Sequence, residues 1–152
     1  MQKHWATLAI ILGLWLPLGS AHTTEPGPTD PALAAKLGAD SRGMRQYVLV
    51  ILKSGSRRVP EGQERIDMFK GHFANMERLA KEQKLVAAGP FSNEENWRGM
   101  FIFAVPGISE AEALVATDPV IQSGEMVAEY HQLYASAALM ALNEIHDKIS
   151  PR

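Results

Sequence analysis

The chain has 152 residues, 46% of them hydrophobic and 21% charged, with a formal net charge of -2 and no cysteine. This is the profile of one ordinary globular domain. The charge balance, without a basic block, argues against a nucleic-acid surface. Lack of cysteine excludes disulfides, thiol catalysis, thiolate metal sites and a lipidated cysteine.

Residues 1–21 read as a signal peptide. Lys3 gives a basic start, an apolar run follows from Ala6 to Leu18, and Pro17 and Gly19 break its helix. The run is short for a membrane span. Gly19 and Ala21 place small residues three and one positions before a cut. The expectation is export, to the periplasm or beyond, with membrane attachment only where the leader stays uncleaved. Residues 22–43, rich in Thr, Pro and Gly, are expected to form a flexible linker, with residues 31–37 as an optional short helix. On the order of 110 residues then remain, enough for one core.

The ordered domain is expected over residues 44–136. Tyr47-Val-Leu-Val-Ile-Leu52 is a strand by its β-branched content and unbroken apolarity. After a loop, Ile66, Phe69, Phe73, Met76 and Ala80 recur at three and four, predicting a helix from Glu64 to about Lys84 with that stripe inward. Leu85 to Phe91 is a short strand stopped by Gly89-Pro90, residues 93–96 are a polar turn, and residues 100–105 return as the second strand of a hairpin. Ser109 with Glu112 reads as a capping box, opening a helix from Glu110 to about Thr117 that Pro119 should stop at Asp118. Residues 126–134 form the last strand. Residues 137–152 hold an amphipathic terminal helix, with Leu139, Leu142, Ile145 and Ile149 on one side, and a short tail.

The order is β-α-β-β-α-β with an extra C-terminal helix: an α+β fold, the ferredoxin-like antiparallel sheet with helices on one face. The second face should then be wet, with strands alternating between apolar and polar. Here both alternate sets of residues 47–52 and of 100–105 are apolar. A second copy packed sheet to sheet would cover that face, making the protein a homodimer, and the terminal helix is the other candidate cover.

Six residues are candidates for chemistry. His72 lies one position off the apolar stripe, in line with Met68, Asn75 and Leu79, beside a mid-helix Gly71 that costs about 1 kcal/mol relative to alanine. A solvated helix histidine is the plain alternative. Asp118 stands at the forced helix stop, where a carboxylate caps a turn, or else orients an imidazole from the first helix. Glu129 and His131 share one face of the last strand, as a cavity wall, as part of a metal site that His72 or Asp118 would have to join, or as an edge shown to water. Asn75 and Arg98 could steady negative charge. No phosphate loop or G-x-S-x-G elbow is present, and the spacing matches no metal signature.

The stretches Gly71-His-Phe-Ala-Asn-Met-Glu-Arg-Leu79, Lys84-Leu-Val-Ala-Ala-Gly-Pro-Phe91, Arg98-Gly-Met-Phe-Ile-Phe103 and Ala116-Thr-Asp-Pro-Val-Ile-Gln-Ser-Gly124, in this order and spacing, resemble the YCII-related family. The likeness spans about Tyr47 to Ser136. It implies a dimeric α/β-barrel of ferredoxin-like protomers and a His–Asp site, carried here onto His72 and Asp118. Family members are mostly of unknown function; a few look like dehydrochlorinases of chlorinated hydroxyquinols, and the fold is similar to that of muconolactone isomerases. This sequence departs from the pattern in its leader, its terminal helix and Tyr130-His-Gln-Leu-Tyr134, where relatives often carry proline and tryptophan. Two functions stay open. One is a cofactor-free lyase or isomerase acting through the His–Asp pair on a small cyclic or aromatic substrate. The other is a non-catalytic small-ligand-binding or structural homodimer of the cell envelope.

Overall fold

The computed structural model describes residues 29–92 and 96–150. The expected leader, the first part of the linker and most of the hairpin turn at 93–96 lie outside the described residues. Among the described residues no helix is long and apolar enough to cross a membrane.

Helix α1, Pro31–Leu37, realises the short helix foreseen within the linker. Asp30 accepts at its N-terminus from the amides of Ala32 and Leu33, and Gly38 closes it in the left-handed region. Strand β1 (Met44–Ser54) leads to α2 (Gln63–Lys81), the hairpin β2 (Leu85–Pro90) and β3 (Trp97–Phe103), then α3 (Ile108–Val115) and the single-turn α4 (Pro119–Gln122). Strand β4 (Met126–Ser136) completes the sheet, followed by a 3-10 turn (Ala137–Ala141) and α5 (Leu142–Ile149). All neighbouring strands are antiparallel, in the order β2-β3-β1-β4. This is the ferredoxin-like arrangement with an extra C-terminal helix.

Register explains which residues make the core. Val48 lies opposite Phe103 and Val50 opposite Phe101, with Tyr130 beyond Val50 on β4. That face packs on Met68 and Leu79 of α2, Ala111 and Val115 of α3, and Val120 of α4, all buried. Each fully buried Val, Leu or Phe side chain contributes about 1.5–3 kcal/mol. The opposite face is only partly covered. Tyr47 and Ile51 are buried there, and the Tyr47 hydroxyl donates to the Ser136 carbonyl at 3.0 Å. Val127 on the same side is 49% exposed.

Several boundaries differ from the sequence-based expectation. In α2 the buried line is Met68, His72 and Leu79, whereas Ile66 and Phe73, read as core stripe, are exposed. The apolar stripe is wider than the core contact, and the helix is turned by about one residue's step. Helix α2 also ends before Lys84, since Gln83 takes a positive φ of 56°. The capping box does not form: extended Gly107 is the N-cap, its carbonyl accepting from Ala111, so Ser109 already lies inside α3. Asp118 ends nothing by itself. It opens α4 as the N-cap, with Pro119 at the first helical position where a missing amide costs nothing. The terminal helix is split, because residues 137–141 wind as a 3-10 turn before α5 begins.

Helix α5 runs beside edge strand β2, where the Asn143 side-chain amide donates to the Leu85 carbonyl at 2.8 Å. At the other end of the sheet, Gly55 crosses the chain at 124–125. A Cβ on Gly55 would stand 2.0 Å from the Gly124 carbonyl oxygen, so only glycine fits.

Candidate functional site

Helices α2 and α4 meet at Gly71 and Pro119. A Cβ on Gly71 would lie 2.9 Å from the Pro119 ring, closer than real Cβ contacts come. The mid-helix glycine is therefore explained by the proline of the neighbouring turn. That approach brings the next residue, His72, onto Asp118, the residue before the proline. His72 Nδ1 lies 2.8 and 3.0 Å from the two carboxylate oxygens of Asp118. A carboxylate only accepts, so Nδ1 carries the proton and donates it. Asp118 is held in turn by the Val120 amide, which donates to its Oδ1 at 3.1 Å. Both side chains are buried, 9% exposed for His72 and 1% for Asp118.

The imidazole borders a cavity of about 250 Å³ between α2 and the sheet. Phe69, Phe73 and Met76 of α2 form one wall, Gly89 and Pro90 of β2 another, and Arg98 to Phe101 of β3 the floor. The ring of Phe73 lies 5.3 Å from that of His72, and those of Phe101 and Phe69 lie 6.1 and 6.2 Å away. His72 and Arg98 are the polar side chains of this lining. With Nδ1 engaged by Asp118, Nε2 has no protein partner among the described residues, and no such atom is buried without one. It is the nitrogen left to meet a ligand.

Arg98 is anchored from behind by Glu125, whose Oε1 lies 3.8 Å from its Nη1. Glu125 is buried at 3% exposure, accepting from the Val59 amide at 2.7 Å and from Arg65 at 2.9 Å. Burial pushes the Glu125 carboxyl up, but the Val59 amide, the Arg65 hydrogen bond and the Arg65 and Arg98 charges outweigh it and hold the group below its ordinary value of 4.5. The Arg65 guanidinium also stacks on Phe69, 4.9 Å from the ring centre. Sequence reading missed both Arg65 and Glu125. The available signal was Gly124 beside Glu125, a glycine whose φ of 77° marks a turn fixed in place.

The remaining candidates lie elsewhere. Asn75 does not reach the cavity: its Oδ1 accepts from Arg78 at 2.8 Å and lies 3.1 Å from the Thr117 hydroxyl, bracing α2 against the turn that carries Asp118. Glu129 and His131 stand opposite Ile51 and Leu49 on the open side of the sheet. They bond to each other at 2.8 Å, and Lys53 donates to Glu129 at 2.9 Å. The sheet separates them from His72 and Asp118, so the three-ligand metal site weighed from the sequence is not assembled. Among the described residues no group of three or more His, Asp or Glu is placed to hold a metal.

The family model of the YCII-related domain matches residues 45–132. No curated protein matches the chain. Among solved structures it is similar to 5-chloro-2-hydroxyhydroquinone dehydrochlorinase from Burkholderia phenoliruptrix AC1100, in complex with 2,5-dihydroxybenzoquinone. The match has 22% identity and a TM-score of 0.38, covering 55% of this chain and 90% of that one. So loose a likeness transfers no chemistry.

Proposed function

The chain belongs to the YCII-related family, and from the site its own residues build we propose that it is a proton-transfer catalyst, a lyase or isomerase that needs no cofactor. The observation that carries this reading is the buried His72–Asp118 pair, with its free nitrogen left to an aromatic cavity. Nε2 takes a proton from a carbon next to the carbonyl of a small cyclic substrate, a cyclic ketone or the keto tautomer of a polyhydroxyphenol. The electron pair of the broken C–H bond moves to the substrate oxygen, and Arg98 offers the charge to steady it. Asp118 holds the resulting imidazolium. The pair then returns, either expelling an anion from the neighbouring carbon or taking the proton back at another carbon. Phe69, Phe73 and Phe101 suit a flat ring.

The test is deuterium wash-in to enolisable cyclic ketones and dihydroxyphenols in heavy water, with wild type beside His72→Ala and Asp118→Asn. Long-range proton–nitrogen NMR of His72 reads the tautomer in parallel. Exchange that depends on both residues, with Nδ1 protonated in the wild type, supports catalysis. Exchange no faster than in His72→Ala sinks it.

The open sheet face favours the second reading, a homodimer that binds a ligand or serves a structural role. Exposed Val127 and half-buried Leu49, Ile102 and Leu133 lie on that face. Two copies packed there would bury them. Sedimentation should give a dimer in the wild type and a monomer in Val127→Asp. The same reading places the mature protein outside the cytoplasm, on the leader expected at residues 1–21. Protein recovered from the soluble cytoplasmic fraction with an intact N-terminus would overturn that placement.

A further inference from the structure

The His72 cavity is small for a ligand site, since such sites run about 300–1,000 Å³ and this one encloses about 250 Å³. Beside it lies a second hollow of about 670 Å³ between α2, β2 and α5. Phe73 and Met76 wall both. Along β2, Ala87 and Ala88 line the outer hollow while Gly89 and Pro90 line the inner one. Along α2 the lining passes in helical steps from His72 through Met76 to Ala80. Sharing Phe73 and Met76, the two hollows adjoin along the α2–β2 seam as a trench whose strand side, Ala87 to Pro90, carries little bulk. Helix α5, beyond the residues matched to the family, supplies the far wall through Leu142, Ile145 and Ile149.

We propose that this trench binds one amphipathic small molecule, with an oxygen-bearing ring at His72 and Arg98 and an aliphatic tail crossing Phe73 to lie under α5. The proposal rests on the reading of the His72 cavity as a small-molecule site. Phe73 is the link: its ring centre lies 5.3 Å from that of the imidazole, and the residue, 61% exposed, also lines the outer hollow. An extended peptide is disfavoured there, because Asn143 already occupies the Leu85 carbonyl that an added strand would use. A charged tail end gains nothing either, since the rim sets Glu77 and Asp147 against Lys81 and His146.

Titration calorimetry of the full chain with phenol and its 4-alkyl derivatives, up to 4-hexylphenol, tests this. Affinity should rise about two- to fourfold per added methylene. In Ile145→Asp, and separately in Ile149→Asp, that gain per methylene should disappear; both positions are exposed, at 52% and 75%, so neither change buries a charge in the core. His72→Ala should weaken every member of the series by a common factor. A flat series in a wild type that binds phenol through His72 overturns the tail groove and leaves the cavity reading intact. A rise that persists in both α5 variants places the tail elsewhere and overturns it as well. A flat series together with a change in sedimentation in the α5 variants assigns the groove to a second copy of the chain. Phenol binding indifferent to His72→Ala removes the cavity reading itself.

Discussion

Among the described residues two histidine–carboxylate pairs share the same separation of 2.8 Å, His72 with Asp118 and His131 with Glu129. Only the first has the makings of a site. Its side chains are 9% and 1% exposed, against 49% and 47% for the second. Asp118 is fixed by a backbone amide and sits at the head of a helix, whereas Glu129 divides its oxygens between a lysine and a histidine on an open strand face. Lys53 donating to Glu129 is the first cause of its carboxyl lying below the ordinary value, with His131 second, so the second pair is tuned by surface charges. Distance alone does not make a base. Burial, a held partner and a cavity for the other nitrogen do.

The largest expected contrast is in rate. His72→Ala should slow proton exchange from a bound probe by about 10²–10⁴-fold, while His131→Ala should leave it unchanged. Equal losses in both variants would break the distinction between the pairs.

Next comes the buried Arg65–Glu125 pair behind Arg98, a third charged contact with burial but no cavity nitrogen. Arg65→Met should destabilise the fold by roughly 3–5 kcal/mol in urea unfolding, because it strands a buried carboxylate. A carboxyl lowered by folding stabilises the fold above its unfolded value and loses that contribution as pH falls through the folded one. The wild type should therefore weaken on acidification below about pH 4.5, the ordinary value of this group. Glu125→Gln should show a flatter dependence over that window. An unchanged slope would mean that Glu125 is not held as its contacts imply.

The smallest effect sharpens the comparison most. Gly71→Ala gains about 1 kcal/mol of helix propensity but drives a methyl against Pro119, which costs about 1–3 kcal/mol. A net loss of about 1 kcal/mol is expected in urea unfolding, together with loss of the fixed Nδ1 proton on His72. A stabilised variant with its tautomer intact would show that the glycine contact does not set the pair.

These sites differ in how far the sequence discloses them. The strands were legible because β-branched runs such as residues 47–52 and the Gly-Pro stop after β2 are local signals. His72 and Asp118 could each be singled out, one by its place beside the stripe and the other by the proline after it. Their contact is 46 residues long-range and depends on a glycine meeting a proline across two helices, which no local pattern encodes. Asn75 was misplaced because a helix position one turn from His72 fixes direction along the axis but not which neighbour the side chain meets. Glu125 stayed hidden because its partners, Val59 and Arg65, come from a loop and a helix start that only the crossing of Gly55 over Gly124 draws together.

The amide of Asn143 on the Leu85 carbonyl has a consequence for the protein's life in a crowded compartment. Strand β2 is an outer strand, and a row of unpaired backbone groups there is a template for another chain. By occupying that carbonyl and lying along the strand, α5 makes the edge a poor seed for aggregation. The last helical segment is thus also a guard against misassembly, and losing it would threaten solubility before it threatened the sheet.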